Sequence, residues 1–163
     1  MSKYAFVGGK LVDGTGAAPV EDSLVLIDDD KITYAGPRKE VPEGYEVRDA
    51  SGHTVMPGLV DTHLHFSGNL TDNDNDWVIE SVAQKQACAV KQSWDALSHG
   101  LTTVCEIGRN GIAIRDLVNM GVMEGPRIYA TGLGFCRVAG HGDCHQLPQE
   151  ISKNGHPWGD QVD

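Results

Sequence analysis

Over roughly the first fifty residues, short apolar runs are broken every few positions by Gly, Asp or Pro, and the pattern is that of β-strands. Residues 4–12 read as two short strands turning at Gly8-Gly9. Residues 23–27 (S-L-V-L-I) make a third strand, Asp28-Asp29-Asp30 a turn, and residues 31–35 the hairpin partner, ended by Gly36-Pro37. Val47 and its neighbours predict one more strand before Ser51-Gly52. The triple aspartate reads as a solvated hairpin tip, because a calcium loop needs further oxygen ligands at set spacing. Residues 1–54 are therefore expected to form a small, mostly β domain without catalytic chemistry of its own.

From residue 55 the pattern changes. Met56-Pro57-Gly58 is a turn, since Pro lacks the N–H a strand would use and Gly marks a bend. A short apolar strand follows and ends in polar residues. Alternation sends Asp61, His63 and His65 to one face and Val60, Thr62, Leu64 and Phe66 to the other, under a layer of helices. Residues 67–76 are polar, and Asp72, Asn73, Asp74, Asn75 and Asp76 offer N-caps for the next element. Over 77–98, Ile79, Ala83, Ala87, Val90, Trp94 and Leu97 recur at helical spacing, with Gly100 as the terminating glycine. Cys88 and His99 read as packing and helix-end residues. A β-branched strand over 101–107, a helix over 112–120 and a strand over 127–131 complete the run. Strand, helix, strand, helix, strand predicts parallel strands joined by right-handed crossovers. The tail, 135–163, is rich in Gly, His and Pro and reads as loop.

Composition removes several classes of function. A formal net charge of -10 argues against a nucleic-acid partner held through phosphates. No apolar run approaches the roughly 18 to 20 residues of a membrane span, and no signal-peptide core is visible. Cys88, Cys105, Cys136 and Cys144 form no C-x-x-C, so reduced thiols and a cytoplasmic location are expected. The Gly-rich stretches lack the context of a dinucleotide or phosphate loop, and there is no nucleophile elbow.

The candidate chemistry lies in His63 and His65. Two imidazoles two residues apart at a strand end can bind one metal ion, though H-x-H alone is a weak signal. Its context strengthens it: M-P-G-L-V-D-T-H-L-H (residues 56–65) resembles the first barrel strand of the amidohydrolase superfamily, metal-dependent hydrolases built on a (β/α)8 barrel. H-G-L-T-T-V-C-E and G-P-R-I-Y-A-T-G resemble the second and third strands of that barrel. The branch they look closest to contains imidazolonepropionase-like enzymes and Xaa-Pro-type dipeptidases.

The resemblance implies an α/β fold: the small β domain, then over 55–163 the first three βα units of a TIM (β/α)8 barrel. It implies a divalent metal, with zinc suited to neutral imidazoles, in one or two copies. The remaining ligands, including a carboxylated lysine or a glutamate, two further histidines and an aspartate handling the proton, are expected outside this chain. Asp61 is a candidate acceptor orienting an imidazole. Glu106, at the end of the second strand, is another such group or a partner for Arg109. His141, in a G-H-G context after the third strand, matches a substrate-binding position or is a turn histidine. A separate zinc site in A-G-H-G-D-C-H, with Cys144 and His145, fits no familiar knuckle spacing. His53, His145 and His156 read as structural or solvent-facing.

A whole barrel takes roughly 250 residues, more than remain after residue 55. A complementary C-terminal polypeptide carrying the other strands and ligands is therefore expected as partner. Val60, Leu64, Val104 and Ile128 are expected to lack part of their covering layers. The other expected partners are a small-molecule substrate and further copies of the chain in a homo-oligomer. The expected activity is hydrolysis of a C–N bond in an amide, cyclic amide or amidine. The alternatives are a deaminase acting on an aminated heterocycle and a non-catalytic truncated paralogue used for binding.

Overall fold

The computed structural model describes residues 2–69, 71, 79–137, 140, 148 and 159–162. The chain divides into two compact units, Met1–Pro57 and Gly58–Asp163.

In the first unit, β1 (Lys3–Val7) lies between β3 (Ser23–Asp28), to which it is antiparallel, and β5 (Glu46–Asp49), to which it is parallel. The strand β4 (Lys31–Pro37) returns antiparallel along β3 and completes a sheet of order β4-β3-β1-β5. The hairpin turns where Asp29 adopts a φ of 53°, a left-handed conformation that Asp tolerates better than most side chains. The strands β2 (Lys10–Leu11) and β6 (Thr54–Val55) form a separate parallel pair. Ala5, Val7, Leu24 and Leu26 form the core, with Tyr34, Val41 and Tyr45 packed against them.

In the second unit, β7 (Leu59–Leu64), β8 (Leu101–Glu106) and β9 (Arg127–Ala130) pair in parallel, in that order. Helix α1 (Val82–Ser98) connects β7 to β8, and α2 (Gly111–Asn119) connects β8 to β9. The start of α1 is set by Ser81, whose hydroxyl accepts from the Gln84 N–H while the Gln84 side chain takes the Ser81 N–H. This reciprocal cap satisfies two orphan donors at once. Asp72–Asp76 of the expected cap set lie outside the described residues. His99 is the C-cap of α1, its Nδ1 2.7 Å from the Asp95 carbonyl.

The helices cover one face of the sheet. Ala89 and Ala96 from α1 and Ile114 from α2 meet Val104, Ile128 and Phe66 in one buried cluster. Removing an aliphatic side chain of this size from water stabilises by about 1.5–3 kcal/mol. The expectation that these apolar faces lack part of their cover holds for Val60 and Leu64 and needs correction for Val104 and Ile128. Val104 and Ile128 are 0% and 6% exposed and fully covered by this cluster. Leu64 is half-buried against the cluster, whereas Val60 is 64% exposed. The simple alternation from Val60 to Phe66 fails because the β7–β8 pairing shifts register between Leu59 and Val60 and again between Asp61 and Leu64.

The tail also departs from expectation. Gly134–Arg137 (β10) pairs in parallel with Gly159–Val162 (β11) where the composition reads as loop.

Candidate metal centre

His63 lies in β7 and His65 just beyond its end; both side chains are exposed. Their ring centroids are 5.1 Å apart with the planes at 85°, so the two imidazoles stand side by side, edge to face. The ladder that brings them here continues past the strand: the Ile107 N–H donates to the Leu64 carbonyl at 3.0 Å. One residue on, His65 Nδ1 lies 2.5 Å from the Ile107 carbonyl oxygen. A carbonyl oxygen only accepts, so Nδ1 carries the proton in that contact and the lone pair of the neutral ring is on Nε2. Histidine metal ligands are commonly oriented in this way, by a carbonyl on the nitrogen away from the metal.

Asp61 Oδ1 accepts from the backbone N–H of His63 at 2.9 Å, so it holds that residue by its main chain. Glu106 is 1% exposed. It has the strand parity of Val104 and so points to the helix-covered side, not along the exposed imidazoles. One of its oxygens, Oε1, accepts from the Phe66 N–H at 3.2 Å. The other, Oε2, has no hydrogen-bond partner of ordinary geometry among the described residues. The carboxyl rests against two glycines: a Cβ on Gly111 would fall 2.0 Å from Oε2, and one on Gly108 2.8 Å from Oε1. Burial pushes the Glu106 carboxyl above its ordinary range, while the N–H groups of Phe66 and Gly111 and the nearby His65 pull it back.

Two further side chains hold the segment after His65 and a third braces one of them, and none stands out in the sequence. Asn110 Nδ2 donates to the carbonyls of Phe66 at 2.7 Å and Ser67 at 3.3 Å. Gln86 Nε2 donates to Asn110 Oδ1 at 2.6 Å, and the Gly68 N–H donates to Gln92 Oε1 at 3.0 Å. Asparagine before a helix reads as a cap, and glutamine on a helix reads as solvated surface. The Ile107 carbonyl is invisible for a simpler reason: any residue supplies one.

His141, Cys144, His145 and His156 lie outside the described residues. Among the described residues no group of three or more His, Cys, Asp and Glu side chains is placed to hold a metal ion. Two neighbouring imidazoles, one with its tautomer set, nevertheless fit a zinc-like cation as two of its ligands.

The sequence model of the amidohydrolase family matches residues 54–153. The chain belongs to that family. The matched span of the amidohydrolase family takes in β7, β8, β9 and both histidines, and leaves out almost all of the first unit. The ochratoxinase of Aspergillus niger is 32% identical over 146 residues, covering 86% of this chain and 30% of that protein. A 5-methylthioadenosine/S-adenosylhomocysteine deaminase of Symbiobacterium thermophilum is 30% identical, covering 86% of this chain and 39% of its own. The chain thus spans between 30% and 39% of the length of these curated relatives. A Xaa-Pro dipeptidase crystallised with methionine in its active site superposes with a TM-score of 0.77 at 25% identity, over 99% of this chain and 41% of that one. Its fold relatives are amidohydrolase enzymes, in keeping with an α/β architecture.

Proposed function

We propose that this chain supplies the first strands and two of the metal ligands of a divalent-metal-dependent hydrolase that cleaves a C–N bond in a small molecule. The observation supporting it is the edge-to-face pair His63 and His65 at the end of a parallel strand, with His65 Nδ1 tied to the Ile107 carbonyl. In this reading β7, β8 and β9 are the first three strands of a barrel. The other strands, the remaining ligands and the proton-transfer group belong to the rest of the enzyme.

A bound divalent ion would lower the pKa of a water toward about 7 and polarise the scissile carbonyl. This chain's residues hold and orient. His63 and His65 offer neutral nitrogens; the Ile107 carbonyl keeps the His65 proton on Nδ1. Asp61 fixes the main chain at His63, and Glu106 fixes it at Phe66. His141 is retained as a candidate for substrate binding. A deaminase is the second reading, supported by the Symbiobacterium relative at 30% identity.

The test is hydrolysis by the full-length protein of a panel of N-acylated amino acids, dipeptides, cyclic amides and aminated heterocycles, before and after metal removal. Release of an amine or amino acid that stops on chelation and returns with zinc is the expected result. Ammonia release confined to the heterocycles favours the deaminase. Turnover unaffected by chelation overturns the metal reading.

A further inference from the structure

Asn110 occupies the N-cap of α2 and does not cap it. A side chain in that position normally accepts from the N–H of the second or third helical residue, a bond whose loss costs about 1 kcal/mol. Asn110 makes no such bond, and its backbone is helical, at φ -88° and ψ -19°. The side chain is 6% exposed and turned instead to the segment after His65. Its Nδ2 takes the carbonyls of Phe66 and Ser67, and its Oδ1 is braced from α1 by Gln86.

Phe66 is thereby held at every point it offers. Its N–H is on Glu106, its carbonyl on Asn110, and its ring is 1% exposed in the core. His65 precedes it directly, and the His65 ring meets the Ile107 carbonyl. The three groups that hold the main chain and the imidazole, from Glu106, Ile107 and Asn110, all come from one five-residue segment at the end of β8. Ring and backbone are therefore referenced to the same short piece of chain.

We propose that Asn110 is a positioning residue for His65: it forgoes its helix cap to fix the Phe66–Ser67 main chain, and so keeps the His65 ring on the Ile107 carbonyl with Nε2 presented to the metal. This rests on the reading of His65 as a ligand. The chemistry requires a donor at this place. Asp of the same shape keeps the Gln86 contact but sets a carboxylate against two carbonyl oxygens.

The test compares Asn110→Asp and Gln86→Ala with the wild type in the full-length protein. Ile114→Val serves as control: it thins the core beneath the same helix, where Ile114 is 0% exposed, without touching the clamp. Nitrogen-15 spectra of the histidines in metal-free protein report the His65 tautomer, and competition with a chelator reports zinc affinity. In wild type, His65 should be a single Nδ1–H tautomer. Asn110→Asp should mix the tautomers and weaken zinc about 10–100-fold, the usual effect of losing a group that orients a ligand. Gln86→Ala should move both readouts the same way by less, and Ile114→Val should move neither. A wild-type tautomer and affinity in Asn110→Asp, or an equal loss in Ile114→Val, overturns the proposal. Full metal retention by a H63A/H65A variant is a separate failure. It removes the ligand reading, and the purpose given to Asn110 with it, whatever the Asn110 variants do.

Discussion

Asp13, Asp28 and Asp49 in the first unit are held below the usual carboxylate range by hydrogen bonds, from the Thr15 backbone, the Tyr45 hydroxyl and the Ser51 side chain respectively. Glu106 in the second unit is pushed the other way, because burial outweighs the donors around it. The first set stabilises turns and strand ends in solvent, where ion pairs such as Lys3–Asp28 add little. The second is a buried carboxyl, directly beneath the residue that follows a candidate ligand. Strained electrostatics of that kind collect at functional sites. The two units differ in whether these carboxylates are left in water.

The largest contrast should come from filling space. Gly68 has a φ of +77°, and a Cβ there would fall 2.4 Å from the Lys85 carbonyl oxygen. Gly68→Ala should cost roughly 3 kcal/mol or more, a left-handed penalty with a backbone clash added. Gly44 in the first unit has a φ of +86° with nothing within 4 Å, so Gly44→Ala should cost only about 1–2 kcal/mol. Urea denaturation of both variants measures the difference. Equal losses would mean that the segment after His65 is not packed as tightly as described.

Next in size is a pH effect of opposite sign in the two units. The folded-state pKa of Glu106 is raised, so its contribution is complete below its ordinary value of 4.5 and is lost as pH rises through the folded value. In metal-free protein, Glu106→Gln should remove that loss: the variant gains on the wild type as pH rises from 4.5. The folded-state pKa of Asp28 is lowered, so its contribution is complete above 3.8 and is lost as pH falls through the folded value. Asp28→Asn should therefore cost stability at neutral pH, by less, and nothing in strong acid. Thermal melts across pH read both. Parallel shifts in the two variants would erase the distinction drawn between the units.

Much of this was legible in the sequence, for identifiable reasons. The hairpin at Asp28-Asp29-Asp30, the helix ending at Gly100 and the parallel strand–helix alternation rest on local signals that tertiary structure did not override. The pairing of β5 beside β1 was not legible, because parallel neighbours are set by long-range packing. At Val60 a clean alternation was readable and misleading, since a register shift depends on the partner strand. The cap of α1 was present as Ser81-Val82-Ala83-Gln84 but was masked by a run of equally good cap residues upstream. The candidates His63 and His65 stand out because metal binding calls for particular side chains. Asn110 does not, because its role lies in a bond it fails to make to its own helix.

The central question is whether His63 and His65 hold metal. Zinc content of the full-length protein, by mass spectrometry after exhaustive dialysis, should fall from at least one equivalent in the wild type to near none in H63A/H65A. Circular dichroism should show both proteins folded. A folded H63A/H65A variant that keeps its full complement of metal would contradict the account.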